Sequence, residues 1–251
     1  MRFIDTALQL VTEKVHTIWG GNKHKVASLL SLDINGAFNF VSHIRLLHNL
    51  RKRRIPELLI RWIQSFLSNR STEIRINDFT LPESKVFMGV PQGSPISPVL
   101  YLIYNADLLE ICENIQLRTS GMGFIDDINI LTHSSSTEQN CDTLKQIYTK
   151  CETWARHHGS SFSEKKFHLI HFTRTPKKVN VNASLDIGGH TIRPESDIRI
   201  LGVQLDTALR WKPHFRVVKA QVIHQVNALK MIIGSTWGVA VEIGCKVYYA
   251  C

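Results

Sequence analysis

Two aspartates, Asp126 and Asp127, stand side by side in the apolar segment GMGFIDDINILT. Adjacent carboxylates repel each other and each is costly to remove from water, so apolar neighbours are an unusual setting for them. Two interpretations are open: an acidic tight turn between strands, or a site where a divalent cation neutralises the pair. A third aspartate, Asp33, ends the apolar run KVASLLSLDI and would extend the metal interpretation if the segments meet.

The first part of the chain predicts helices, a buried strand and a hairpin. Hydrophobic periodicity indicates a helix over 7–19, a buried strand over 25–34, two helices within 42–68 and a hairpin at about 72–88. Gly20 and Gly21 end the first helix, and Pro56 starts the third. The buried strand carries Asp33 near its C-terminal edge.

The segment GVPQGSPISPVLY predicts a Gly- and Pro-rich loop followed by a helix capped at Ser97, with Pro98 at its first position. GMGFIDDINILT fits a second hairpin with the aspartates at its turn. A helix over 137–158 is expected to end at Gly159, and KFHLIHFT follows as a strand. Beyond residue 175, short strands lead to a basic amphipathic helix that begins a second unit.

This order of elements predicts an α+β fold close to the split βαββαβ arrangement. The expected sheet is antiparallel with helices on one face. If the strand that carries Asp33 lies beside the second hairpin, Asp33, Asp126 and Asp127 converge on one sheet edge. Three carboxylates together match the need of phosphoryl transfer from a nucleoside triphosphate, which is charge neutralisation and positioning by two magnesium ions.

Composition favours an intracellular protein with an anionic partner. Thirty Lys and Arg against 21 Asp and Glu give a net charge of +9, which suits nucleic acid. Five cysteines without a CxxC pair indicate reduced thiols. No secretory signal and no apolar run long enough for a membrane span is recognised. We therefore expect a location in the nucleus or cytoplasm, with the mitochondrion as an alternative, and no secretion.

Five segments, in order, resemble the polymerase motifs of reverse transcriptases from retrotransposons without long terminal repeats, most closely those of fungal elements. They are LLSLDINGAFNFV, GVPQGSPISPVLY, GFIDDINIL, WARHHGSSFSEKK and IRILGVQLD. Five motifs at these spacings are far more specific than any one of them. The resemblance covers roughly residues 26–215 and implies a fragment with a palm and the start of a helical thumb.

The resemblance implies a role for each matching residue. Asp33, Asp126 and Asp127 would be catalytic, and with the backbone carbonyl of Ile34 they would hold two Mg²⁺ ions, with Mn²⁺ as an alternative. The residues expected to contact the incoming nucleotide are Phe38, which would exclude a ribose 2′ hydroxyl, Gln92, Gly93 and Lys166. Those expected to contact primer or template are Gly89, Pro91, Leu201, Gly202, Lys212 and Arg216.

The resemblance also implies a domain plan: a remnant N-terminal helix over 1–25, a palm over 26–174, a primer-grip-like connection over 175–211 and partial thumb helices over 212–251. Phe124 stands where many relatives have Tyr, and Asn39 where many have a second aspartate. The fingers and endonuclease segments of a longer element are not recognised. Without fingers residues to neutralise the triphosphate, we expect salt-sensitive binding of primer-template duplex but weak extension.

The function implied is RNA-directed DNA polymerisation, with an RNA template, a DNA primer and dNTPs as partners. Two alternatives stay open. One is a relic that keeps the fold and binds nucleic acid without turnover. The other is a two-metal nuclease, because acidic clusters serve those enzymes too. The basic run RKRR at 51–54 fits equally a template contact or a solvated helix end.

Overall fold

A computed structural model describes residues 2–21, 25–76, 79–232, 242–243 and 246. The helices are α1 (Arg2–Gly21), α2 (His43–Lys52), α3 (Glu57–Leu67), α4 (Ser97–Cys112), α5 (Thr137–His158) and α6 (Lys212–Ile232). The strands are β1 (Val26–Asp33), β2 (Arg70–Thr72), β3 (Arg75–Ile76), β4 (Phe79–Thr80), β5 (Ser84–Val86), β6 (Thr119–Phe124), β7 (Asp127–Ser134), β8 (His168–Phe172), β9 (Leu185–Ile187), β10 (His190–Ile192), β11 (Asp197–Ile200) and β12 (Val203–Asp206). The chain forms two compact units, Met1–Glu195 and Ser196–Cys251.

The first unit is built on a four-stranded sheet in the order β6, β7, β1, β8, and all neighbours are antiparallel. In chain order the strands of this sheet are β1, β6, β7 and β8. The first and third of them lie in the centre of the sheet, and the second and fourth lie at its edges. This is the order of the split βαββαβ fold, so the predicted fold class is confirmed. The predicted buried strand that ends at Asp33 is β1. It pairs with β7 of the predicted second hairpin, as the metal interpretation required.

Helices α4 and α5 cover one face of this sheet. Leu30 and Ile130 belong to a buried core that also includes Leu108 of α4 and Leu144 of α5. The two glycines of GMGF explain how closely α4 approaches. A Cβ at Gly121 would lie 2.5 Å from Cβ of Cys112, and one at Gly123 would lie 2.8 Å from Cδ2 of Leu109. The two glycines are spaced by two residues, which places both on the α4 side of β6.

Helix α1 covers the opposite face, which the prediction of helices on one face did not include. Its residues Leu10 and Lys14 line a groove with Leu131 and His133 of β7. Alternate residues of a strand project to opposite faces, so Leu131 and His133 lie on the face opposite to that of Ile130, which belongs to the core. The helix is anchored at its end, where Trp19 is buried and the Arg174 guanidinium lies 4.8 Å from its ring centroid. The sequence pattern predicted the helix but not the face of the sheet that it covers.

The run RKRR lies at the end of α2 and is held by acidic residues of α3 and α4. The ion pairs are Arg51 with Glu57 at 3.2 Å, Lys52 with Asp107 at 3.0 Å, Arg53 with Asp107 at 2.8 Å and Arg53 with Glu110 at 2.8 Å. Three of the four basic residues therefore have partners within the fold. These ion pairs tie α2 to its neighbours and account for the run without a nucleic acid.

Two predictions concerned helix ends, one at Gly159 and one at Ser97. Gly159 ends α5 in the left-handed conformation, with φ of 65°, as expected. The cap at Ser97 was wrong: Ile96 occupies that position, and Ser97 is the first helical residue. The Ser97 hydroxyl instead donates a hydrogen bond to the Pro91 carbonyl at 2.5 Å. Ser97 lies one residue inside the helix, so it is not at the position from which a side chain caps the first turn.

The second unit contains the hairpin β11–β12 followed by α6. Leu201 and Gly202 form the hairpin turn, both with positive φ, at 48° and 88°. The basic helix predicted in this region is α6, and most of the thumb segment after Ile232 lies outside the described residues. Among the described helices, none is both long and apolar enough to cross a membrane.

Candidate active site

Neighbouring strand ends bring the three aspartates together. Asp33, the last residue of β1, is the direct cross-strand partner of Asp127, the first residue of β7. Directly opposite residues project to the same face. Asp126 lies in the two-residue turn before β7, and its carbonyl accepts a hydrogen bond from the N–H of Ile34 at 3.4 Å. The cluster thus lies at the edge of the sheet formed by the paired ends of the two central strands, β1 and β7.

The electrostatics of the cluster reflect an excess of negative charge. Burial raises the pKa of Asp127, and the charges of Asp126 and Asp33 raise it further, while Lys166 opposes the shift. Burial also raises the pKa of the Tyr101 phenol, and the same two aspartates add to that effect. A bound cation would relieve this repulsion.

The donor set suits a hard divalent cation, which prefers carboxylate and carbonyl oxygens. As the side chains stand, no group of three or more His, Cys, Asp or Glu in the described part of the chain is already arranged around one point. The Asp33 carboxylate is turned toward Lys166. Holding an ion between all three aspartates therefore requires rotation of side chains, not a change in the strands.

Lys166 reaches the cluster from a short 3₁₀ turn, Glu164–Lys166. Its Nζ donates to Oδ2 of Asp33 at 2.9 Å, and this bond raises the pKa of the lysine. The turn is tied to the end of β1, because the N–H of Ser163 donates to the Asp33 carbonyl at 2.9 Å and the N–H of Asn35 to the Ser161 carbonyl at 2.9 Å. The fold thus places one ammonium group beside the aspartates.

The GVPQG loop packs directly on the loop that follows β1. Gly89 has a φ of 83°, and a Cβ there would lie 2.7 Å from the Asn39 carbonyl oxygen and 2.9 Å from that of Phe38. The N–H of Gly89 donates to Val41 and the N–H of Val90 to Phe38, each at 2.8 Å. Only a residue without a side chain permits this approach.

Three further contacts fix the position of the loop. The Gly89 carbonyl lies 2.8 Å from Nε2 of His43 and accepts from the Arg70 guanidinium at 3.1 Å. The side-chain amide of Gln92 donates to Oδ1 of Asn39 at 3.1 Å. Asn39, which departs from the family pattern, is thus the residue that holds Gln92. Gly93 has a φ of 89° and open space around it.

An open cleft of about 510 Å³ adjoins this loop. Its lining combines aromatic and basic side chains with the loop itself: Phe40, Arg70, Lys85, Phe87, Pro91 and Gln92 are among them. Phe87 is 77% exposed and Phe40 is 48% exposed. Exposed rings next to cationic groups are the combination that binds single nucleic-acid strands.

Phe38 stacks on Tyr101 of α4, with ring centroids 5.1 Å apart. One helical turn further, Asn105 donates from Nδ2 to the carbonyl of Ile125 at 3.3 Å. Neither Tyr101 nor Asn105 was anticipated from the sequence. The available signal was a polar amide that directly follows the apolar run PVLYLIY in α4.

The remaining predicted contacts lie in the second unit. Leu201 and Gly202 form the β11–β12 turn, and Lys212 and Arg216 are exposed on the first turns of α6. In the first unit, the structure brings Asp33, Asp126, Asp127 and Lys166 together. Gly89 and Gln92 are joined instead to the loop that contains Phe38 and Asn39.

A family model described as reverse transcriptase (RNA-dependent DNA polymerase) matches residues 4–205. The chain belongs to the reverse transcriptase family. It is similar to a probable RNA-directed DNA polymerase from transposon X-element of Drosophila melanogaster, at 25% identity over 86% of this chain and 23% of that protein. The RNA-directed DNA polymerase from mobile element jockey of the same organism is 26% identical, with the same shares covered.

These comparisons confirm the resemblance to retrotransposon reverse transcriptases; the relatives named are insect proteins, so the expected closeness to fungal elements is not established. The chain spans about a quarter of the length of these relatives, 23% in both cases. Among solved structures, a truncated apo telomerase of Candida tropicalis is similar with a TM-score of 0.57 and 12% identity, covering 81% of this chain and 38% of that one. The telomerase of Candida albicans, solved with a fragment of telomeric RNA, gives a TM-score of 0.56 at 12% identity, covering 81% and 33%. At such identities the likeness concerns the fold alone.

Proposed function

We propose that the chain is the polymerase core of a retrotransposon reverse transcriptase, which adds deoxynucleotides to a primer 3′ hydroxyl on an RNA template. The observation that carries the proposal is the sheet register, in which Asp33 faces Asp127 and Asp126 lies in the adjoining turn. Membership of the family supports the same activity. Because the chain corresponds to 23% of its relatives' length, fingers and endonuclease segments of a longer protein belong to this proposal.

Asp33, Asp126 and Asp127, with the backbone carbonyl of Ile34, would hold two Mg²⁺ ions, with Mn²⁺ as the alternative. When bound, such ions lower the pKa of an attacking hydroxyl and neutralise a triphosphate. The raised pKa of Asp127 supports this assignment. Carboxylates that repel one another at the ends of paired strands are an energetic cost unless a cation offsets it.

In the proposed reaction the primer 3′ oxygen forms a bond to the α-phosphorus of a dNTP. The bond from that phosphorus to the bridging oxygen of the β-phosphate breaks, pyrophosphate leaves, and the hydroxyl proton passes to solvent. Lys166 would lie near the triphosphate, because its ammonium group already lies beside Asp33 on a side chain that is 64% exposed. A mobile cation at that place would offset charge on the leaving pyrophosphate.

Selection of the nucleotide would depend on the two packed loops. Phe38 would exclude a ribose 2′ hydroxyl, and its stacking on Tyr101 supports this role by fixing the ring. Gln92 and Gly93 would pack against the incoming nucleotide, and Gly89 and Pro91 against the template. The hydrogen bond to Asn39 leaves the Gln92 carbonyl oxygen available as an acceptor.

Primer and template would also be held by the second unit. Leu201 and Gly202 would contact the primer end, and Lys212 and Arg216 would contact backbone phosphates. The exposed basic residues at the start of α6 support this assignment, because phosphate contacts by Lys and Arg give salt-dependent affinity. The cleft beside GVPQG, with Phe40, Phe87 and Arg70, would receive the single-stranded template.

Two alternative functions remain distinct from polymerisation. Asn39 and Phe124 depart from the family pattern next to the aspartates, which would suit a relic that only binds nucleic acid. The carboxylates alone would also suit a nuclease. The packed GVPQG loop and the stacked Phe38 favour the polymerase, because hydrolysis needs no surface that selects a sugar.

One assay separates the three functions. A 5′-labelled DNA primer is annealed to an RNA template and incubated with the chain, Mg²⁺ and dNTPs. Lengthening identifies a polymerase, shortening a nuclease, and duplex binding without either product a relic. We expect salt-sensitive binding and weak lengthening by the chain alone, and stronger lengthening when the segment that precedes the matching region of the jockey protein is joined to it.

We also propose an intracellular location, in the nucleus or cytoplasm, with the mitochondrion as the alternative. The described cysteines Cys112, Cys141 and Cys151 are free thiols, which suits a reducing compartment. An affinity to fungal elements remains part of this proposal. A phylogeny built on the polymerase motifs would test that affinity, and imaging of a tagged chain would test the location.

A further inference from the structure

Helix α4 lies directly beneath the turn that carries Asp126. Asn105, on this helix, is 3% exposed, and its Nδ2 donates to the carbonyl of Ile125 at 3.3 Å. Tyr101 lies one turn earlier on the same helix and is 1% exposed. Burial raises the pKa of its phenol, a hydrogen bond with the Asn105 side chain opposes that shift, and the charge of Asp126 adds to it. The proposed reaction assigns no role to Asn105.

The turn held by Asn105 has a strained backbone. Ile125 has a φ of 56°, a left-handed conformation that a β-branched residue rarely adopts. Such a conformation persists only where surrounding contacts hold it, and it is common at functional sites. The N–H of Ile34 also donates to this turn, to the Asp126 carbonyl at 3.4 Å. Among the described residues, Asn105 supplies the one side-chain hydrogen bond to the backbone of the turn, at 3.3 Å.

Fold stability alone does not explain an amide at this position. Oδ1 of Asn105 is buried and has no hydrogen-bond partner within the described residues. Leaving a buried acceptor unpaired is costly, and an apolar side chain of the same size would avoid the cost. The residue gives up stability at a place where its hydrogen bond to the Ile125 carbonyl holds the backbone next to Asp126.

We infer that Asn105 is a positioning residue: its hydrogen bond to Ile125 holds the turn so that the Asp126 carboxylate faces Asp33 and Asp127. This inference rests on the proposed function of the three aspartates as cation ligands. Residues that orient a metal ligand from behind typically change metal affinity by about 10- to 100-fold when removed.

The test is Mn²⁺ binding to the full chain, measured by the electron paramagnetic resonance signal of the free ion. Asn105→Leu removes the hydrogen bond and keeps a side chain with the same heavy-atom count and branching. Asn49→Leu is the matched control, because Asn49 is 2% exposed and also donates from Nδ2 to a backbone carbonyl, that of Tyr104 at 3.2 Å. We expect Asn105→Leu to weaken Mn²⁺ binding about tenfold and Asn49→Leu to leave it unchanged.

Two additional variants keep the outcome decisive. If Asn105→Leu does not fold, Asn105→Ala removes the same hydrogen bond without a branched side chain. Ile125→Gly, which adopts a positive φ without strain, should restore part of the affinity in either background. Affinity unchanged by loss of the amide, or reduced equally by Asn49→Leu, would overturn the inference. Binding that Asp126→Asn does not weaken would instead refute the proposed cation site, and the inference with it.

Discussion

Replacing Gly89 by alanine measures how tightly the GVPQG loop is packed. The added Cβ would lie 2.7 Å and 2.9 Å from the backbone oxygens of Asn39 and Phe38, so relief requires the two loops to separate. Separation weakens the two 2.8 Å hydrogen bonds, from Gly89 to Val41 and from Val90 to Phe38. A left-handed alanine costs about 1 kcal/mol, and each lost hydrogen bond costs about 1 kcal/mol. We therefore expect the free energy of unfolding to fall by about 3 kcal/mol.

Gly93→Ala is the control for the conformational part of this loss. Gly93 has a similar φ of 89°, and a Cβ there meets no atom within 4 Å, so its substitution should cost only about 1 kcal/mol. Urea unfolding followed by far-UV circular dichroism gives both values. If Gly89→Ala costs no more than Gly93→Ala, the reasoning about close backbone contact is refuted.

Three further substitutions have expected directions, each measured by thermal unfolding. Burial and neighbouring carboxylates raise the pKa of Asp127 above the ordinary value of 3.8. The charged form of Asp127 therefore destabilises the fold as the pH rises. Asp127→Asn should raise the melting temperature near neutral pH but not below about pH 3. Burial opposes ionisation of Asp107, but hydrogen bonds from Lys52 and Arg53 outweigh it and lower its pKa. The charge of Asp107 therefore stabilises the fold above the ordinary pKa of 3.8, and this stabilisation is lost as the pH falls. Asp107→Asn should cost about 1 kcal/mol near neutral pH and nothing in strong acid; the same pH response for both variants would contradict these assignments. Leu201→Gly should raise stability by about 1 kcal/mol by removing a left-handed leucine, and a lower melting temperature would contradict that reading of the turn.

The fold was predictable where sequence periodicity has one structural solution. The continuous apolar run ending at Asp33 fits only a strand covered on both faces, and Gly159 has the conformation that its position after α5 required. The pattern of α1 could not specify its surface, because apolar spacing identifies a buried stripe but not what buries it. Ser97 was misplaced by one residue because a serine before a proline is typical of a helix start but does not fix which of the neighbouring residues is the cap.

The site was predictable in residue type but not in its supports. Adjacent aspartates in an apolar segment suggested a metal site without deciding against an acidic turn. The predicted order of elements allowed Asp33 to lie beside them, as it does in the strand register. The bond from Lys166 to Asp33 joins residues far apart in sequence, so no local pattern encodes it. Asn105 was missed because its significance depends on the backbone of Ile125, and dihedral strain cannot be read from composition.

The central claim, that Asp33, Asp126 and Asp127 serve an RNA-directed DNA polymerase, is tested most directly by primer extension with matched carboxylate variants. The protein is the chain joined to the preceding segment of the jockey protein, with an RNA template, a DNA primer, dNTPs and Mg²⁺. Asp126→Asn neutralises a carboxylate of the cluster, and Asp107→Asn neutralises one that is bonded to Lys52 and Arg53. We predict extension by the wild type and by Asp107→Asn, and none by Asp126→Asn, with equal duplex binding by all three. Extension by Asp126→Asn at the wild-type rate would contradict the claim.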